Sequence, residues 1–205
     1  MSSRSWMIER LNQETAAYHP DADADLDPLF RADAGAAAYM LYLMRVYGFE
    51  APLESSLTMT PGLDLLIDVR ARARSAAIAS DLMQLGLRPS QVAEMPQCLT
   101  IPQFRGAAEA LGWMYVAERC TLAHSVIKNH LGTRLPAEIG KASAYLSAYA
   151  GTVGARWRDF GEKLDKVAHH PAIADRIVHA AGDAFRCQRR WMQQEHRTST
   201  TRMVG

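Results

Sequence analysis

The sequence predicts an all-α protein, a single-domain multi-helical bundle, on three observations. Apolar residues recur at three- and four-residue intervals from Trp6 to beyond Pro171. No segment alternates apolar and polar residues as a half-buried strand would. No repeat or low-complexity tract divides the 205 residues, and 48% hydrophobic with 22% charged is the composition of a chain that buries one core. The expected boundaries are 1–196 for the helical domain and 197–205 for a mobile tail, because HRTSTTRMVG offers little to bury.

Taken in order, Trp6, Ile8 and Leu11 share a helical face, and the first helix ends near HPDADADLDPLF with His19 at its end. A second helix starts after Gly35 and carries Tyr39, Leu43, Val46 and Tyr47 on one side. Pro52 is expected to kink or restart it before Leu53 and Leu57. Thr60 and Pro61 look like an N-cap and first-turn pair opening a third helix that stops at Gly86. RPSQVAEMPQCLTIPQF, with Pro89, Pro96 and Pro102, reads as a connection. One long apolar helix then spans Gln103 to about Leu131, followed by helices over 136–149, 153–167 and 171–195, for seven or eight in all.

A formal net charge of +1 gives no global attraction to nucleic acid or an anionic membrane surface. Three cysteines without metal-type spacing suit reduced thiols. The amino-terminal residues lack the apolar core of a signal peptide, and no stretch reaches membrane-spanning length. These features together point to a cytoplasmic protein with neither nucleic-acid nor membrane partners.

Chemistry has to come from particular residues. LNQETAAYHPDADADLDPLF places Thr15 four residues before His19, and LGWMYVAERCTLAHSVIKNHL has the form LGxxYVxExxTL, with Glu118 as its acidic residue. Together with YLMRVYGFEAPLESSL, ARARSAAIASDLMQLGL and GARWRDFGEKL, in that order, the chain resembles the bacterial biliverdin-producing heme oxygenases from about residue 6 to 190. The resemblance implies a heme oxygenase-like fold with heme bound between the first helix and the long one. It makes His19 the ligand to heme iron, with oxidative opening of heme to biliverdin and release of iron and carbon monoxide. Electrons would come from a separate donor such as ferredoxin or a reductase, since the chain has no flavin or nicotinamide fingerprint.

The long helix departs from the family pattern. Where the family usually reads EGSTLGG, this chain reads ERCTLAH, so Arg119, Ala123 and His124 stand in place of three glycines. Three outcomes are open. Arg119 can pair with a heme propionate or with a carboxylate such as Glu118 or Glu54, leaving a usable pocket. It can fill the heme site, giving a fold relative that binds another ligand or nothing; the alternative to catalysis is a non-catalytic heme- or other ligand-binding protein of the same fold. His124 can supply a second axial nitrogen, or simply pack against a neighbouring helix. Candidate propionate partners are Arg10, near the first helix, and Arg156 and Arg158 in ARWRDF. RARAR, with Arg70, Arg72 and Arg74, reads as a solvated basic face. Neither the Cys120 and His124 pair nor Glu14, Glu54 and Glu118 complete a metal-binding pattern.

Overall fold

The protein, seen in a computed structural model, is described over residues 5–194; the expected tail at 197–205 lies outside the described residues. Helix α1 (Trp6–Glu14) opens on Ser5, whose hydroxyl accepts the Ile8 amide at 3.2 Å, and buries Met7, Ile8 and Leu11 on one face. His19 does not end this helix. A 3-10 turn at Ala16–Tyr18 intervenes, and His19 opens α2 (His19–Ala24), followed by α3 (Asp27–Phe30). Pro20 and Pro28 sit in the first turns of these short helices, where the missing N–H has no partner to lose.

Helix α4 (Ala36–Thr58) runs through Pro52 without restarting. Proline has no amide for the carbonyl four residues back. That carbonyl, on Gly48, instead accepts the Cys98 amide at 2.8 Å. Gly48 has a second role, because a β-carbon there would lie 2.6 Å from the Pro96 carbonyl and would also strike the Trp191 ring. The proline-rich connection is thereby docked on α4.

The expected third helix is delayed. Thr60 turns its hydroxyl back to the Ser56 carbonyl at 2.8 Å, and Gly62 takes φ +71°, a left-handed turn that no helix continues through. Turns and a 3-10 segment (Arg70–Arg72) lead to α5 (Ser75–Gln84), which stops before Gly86 at φ +108°. The connection that follows contains the short α6 (Pro89–Ala93).

The long apolar stretch is two helices, α7 (Ala107–Cys120) and α8 (His124–Arg134), separated by a 3-10 turn at Thr121–Ala123. There the Thr121 hydroxyl donates to the Glu118 carbonyl at 2.7 Å and the His124 amide bonds only three residues back, which tightens the spiral. The expected helix over 136–149 likewise divides into α9 (Pro136–Lys141) and α10 (Ala144–Ser147). The buried Asp81 carboxylate accepts the Ala144 and Tyr145 amides at 2.8 and 2.9 Å, so α10 starts where that cap stands. Helices α11 (Val153–Val167) and α12 (Pro171–Gln193) complete the bundle. No strand occurs among the described residues, and no described helix is long and apolar enough to cross a membrane.

Helices α7 and α12 form the central pair. They approach because Gly112 has no side chain: a β-carbon would lie 2.7 Å from that of Ala180 and 2.9 Å from the Ala181 amide nitrogen. Backbone cannot yield as a flexible side chain can. We expect Gly112→Val to destabilise the protein by about 1–3 kcal/mol or more, read as a lowered urea midpoint, while Gly140→Ala, in open space, leaves it nearly unchanged.

Candidate functional site

A cavity of about 450 Å³ lies between α2 and α3 on one side and the end of α7, the 3-10 turn and the start of α8 on the other. This is the size range of small-molecule sites. Phe30, Val46, Phe49, Leu122, Val126 and Met192 give it apolar walls. Tyr42, Glu50, Tyr145 and Gln188 supply polar groups, and Asp23, Asp25, Asp27 and Arg119 line it from α2, the residues after it, and α7.

His19 stands one turn before Ala22 and Asp23, the α2 residues on the cavity wall. Its ring packs against Phe185, centroids 5.5 Å apart, and its Nε2 lies 3.1 Å from the Thr15 hydroxyl. That hydroxyl donates its one hydrogen to the Leu11 carbonyl at 2.7 Å, so it accepts from Nε2–H and the lone pair falls on Nδ1. Burial, then the charge of Arg119, lowers the His19 pKa, and a neutral imidazole is the form that binds a metal. Thr15 therefore acts on His19 by setting its tautomer.

Arg119 extends from the last turn of α7 to Asp23 on α2, with Nη2 3.0 and 3.2 Å from the two carboxylate oxygens. The pair bridges the two walls of the cavity. Neither suggested carboxylate is its partner. Glu54 accepts the Arg74 and Ser75 amides and the Ser75 hydroxyl, and so holds the start of α5. Glu118 is 3% exposed and bonds Arg72 at 2.8 Å and the Tyr149 hydroxyl at 3.0 Å. It does not line this cavity.

Ala123 lies on the cavity wall as the spacing from Arg119 suggests, although a 3-10 turn rather than a continuous helix puts it there. His124 does not line the cavity. It is buried with its ring 4.4 Å from that of Tyr145, and its Nε2 finds no partner among the described residues. Nor do Arg10 and Arg156 reach the rim. Arg10 pairs with Glu14 and Asp175, while Arg156 donates to the Ala71 carbonyl at 2.7 Å and covers the Tyr149 ring at 4.6 Å. The cation beside the opening that the sequence reading passed over is Arg189 on α12. It bonds Asp25 at 2.6 Å and lines a second hollow of about 280 Å³ between α2 and α12.

The larger omission is Arg72 and Arg74, expected on a solvated face and found only 6% and 4% exposed. Arg74 grips Glu50 through Nε and Nη2 at 3.0 and 3.2 Å, and its Nη1 lies 3.5 Å from Glu118. Arg72 joins Glu118 to Asp159, 2.7 Å away at the surface. Burial alone would lower the Arg74 pKa, but Glu50 foremost, with Tyr145 and Glu118, outweighs it and holds the guanidinium protonated. Burial pushes the Glu50 carboxyl up, and Arg74 opposes that shift. The signal was present in the chain: Glu50 in VYGFEAPL and Glu118 in MYVAERC interrupt apolar helical runs, and a carboxylate so placed needs a buried cation.

Burial, then the Arg74 charge, depresses the His124 pKa to about 3. The unfolded chain takes up this proton below about 6.5 and the folded chain does not until near 3, so His124 costs stability progressively as pH falls between those values. We expect His124→Phe to flatten the acid side of the stability curve, removing up to roughly 1.4 kcal/mol per pH unit in that window, by urea unfolding at stepped pH.

The heme oxygenase family model matches residues 5–194, the whole described region. No curated protein gives a significant match. Among solved structures, the NO- and CO-bound heme oxygenase of Neisseria meningitidis superposes with a TM-score of 0.70 at 21% identity, over 91% of this chain and 89% of that one. At that identity the superposition shows a shared fold, and it is the family match along the full helical region that supplies the membership: this chain belongs to the heme oxygenase family.

Proposed function

We propose that the protein binds heme in the cavity between α2–α3 and α7–α8 and opens it oxidatively to biliverdin, with release of iron and carbon monoxide and electrons from a separate donor. The observation that supports this most is an apolar cavity of about 450 Å³ with His19, its pKa lowered by burial and then by Arg119, one helical turn before the α2 residues that line it. Bound heme supplies the iron at which dioxygen is activated. The protein's part is to hold and orient it. His19 would hold the iron through its imidazole lone pair, and Thr15, 3.1 Å from Nε2, would set which nitrogen is free to do so. Ala117 and Ala123 keep the opposite wall thin, and Glu50 with Tyr145 sets a hydrogen-bonding group at the inner end. Arg189 offers a guanidinium beside the mouth for a propionate, at present shared with Asp25.

Arg119 acts in this reading as a latch. Its bond to Asp23 crosses the gap between the walls, and a ligand seated between them has to break it. Asp23 is 63% exposed at the side chain, and a pair so open to water is worth about 0–1 kcal/mol. The latch therefore delays entry more than it forbids it.

Two measurements test the reading. Anaerobic titration with hemin should give a Soret band that His19→Ala alters. Adding oxygen with ascorbate or ferredoxin should then convert that band to biliverdin absorption with carbon monoxide release. A band that bleaches without biliverdin would overturn the catalytic claim. Breaking the latch by Arg119→Gly or Asp23→Asn should speed heme uptake and tighten binding by no more than roughly fivefold, the equivalent of 1 kcal/mol. A tenfold or greater loss of affinity in Arg119→Gly alone would instead make Arg119 a propionate anchor.

A further inference from the structure

Cys98 and Cys187 stand with their sulfur atoms 3.6 Å apart although 89 residues separate them. Cys98 belongs to the proline-rich connection and is fixed by the bond from its amide to the Gly48 carbonyl. Cys187 belongs to α12. The Thr100 hydroxyl lies 3.3 Å from each sulfur, so two thiols and one hydroxyl form a single cluster. Both cysteines are 3% exposed, and neither lines the cavity. Nothing in the reading of the cavity uses them.

Two thiols in contact on separately anchored elements are a dithiol already positioned for bond formation, since a disulfide of about 2.05 Å requires a closure of roughly 1.5 Å. We propose that Cys98 and Cys187 are a hydroperoxide-sensitive pair that closes to an intramolecular disulfide, joining α12 to the connection and, through Gly48, to α4. The Cys98 thiolate attacks one oxygen of hydrogen peroxide; the S–O bond forms, the O–O bond breaks, and the departing hydroxide takes a proton to leave as water. The Cys187 thiol then attacks the sulfenic sulfur. The S–S bond forms, the S–O bond breaks, and the thiol proton leaves with hydroxide as a second water. Two thiols lose two electrons and one peroxide becomes two waters.

The roles follow from the cluster. The Cys187 S–H, ahead of the opposing effect of burial and the help of Thr100, lowers the Cys98 pKa, while the same bond raises that of Cys187. Cys98 is the attacking sulfur and Cys187 the resolving one. Near-complete burial limits the oxidant to one of peroxide size. Cys120, half-buried on α7 with its thiol pKa raised by burial, provides an internal control.

The test uses the full chain, reduced, desalted and treated with a small excess of hydrogen peroxide at pH 7, then quenched, denatured and assayed for thiols. The count should fall from three to one. The Cys98 and Cys187 peptides should be found joined, the bond reversed by dithiothreitol, and Tm raised by several degrees through closure of a long loop. Cys120→Ser should keep the cross-link, and Cys187→Ser should leave Cys98 as a dimedone-reactive sulfenic acid. An undiminished count of three, sulfinic acid at Cys98 with Cys187 free, or a bridge between two chains would each overturn the proposal. If Cys187→Ser does not fold, peptide mapping of the unaltered chain decides.

Discussion

The buried pairing of Arg74 with Glu50 and Glu118 is the constraint around which the helices are placed. It draws a non-helical segment into the angle between α4 and α7, where Arg74 also donates to the Ala117 carbonyl at 3.2 Å. Charges taken from water cost several kcal/mol each, and this is offset only when their hydrogen bonds are met. Here Tyr145, Tyr149, Arg72 and Asp159 meet them. Such a network contributes less to net stability than to uniqueness of arrangement: a helix that slid or turned would strand a buried ion.

The network also accounts for YGFEAPLE as a unit of structure. Glu50 and Glu54 are one helical turn apart on α4, so one carboxylate grips the Arg74 side chain while the other accepts the amides of Arg74 and Ser75. Pro52 frees the Gly48 carbonyl for Cys98, and Gly48 leaves space for Trp191, whose indole donates to the Arg45 carbonyl at 2.7 Å. Eight residues thus position α5, the proline-rich connection and the end of α12. Glu50 and Tyr145 in turn line the cavity, so the groups that set the helices also shape the candidate site.

On the outer side the cavity is closed by weaker means. The Arg119 to Asp23 bridge joins α7 to α2 across the cavity, whose walls also meet directly where α3 packs on α8, the Phe30 and His130 rings lying 4.8 Å apart. An exposed ion pair is the element of such a site that yields at least cost. Arg119 and Asp23 both line the cavity, and the 3-10 turn at Thr121–Ala123 keeps Ala123 on the wall while sending His124 into the core.

The sequence alone determined the all-α class, the stop set by Gly86 and, through ordered motifs, the family, and it singled out His19 and Thr15 as candidates. Those are properties of periodicity, capping and local spacing, which act over a few residues and so are written along the chain. Tertiary structure alone decided the partners of the charged groups. Arg119 meets Asp23 from 96 residues away, and Arg72 and Arg74 are buried because Glu50 and Glu118 wait on other helices. It also decided that Pro52 does not break α4 and that the stretch around Thr121 does break, as each outcome rests on where a carbonyl finds its donor. Partner choice between residues far apart in sequence is set by packing, and an arginine carries the same charge on a solvated face as in a buried pair.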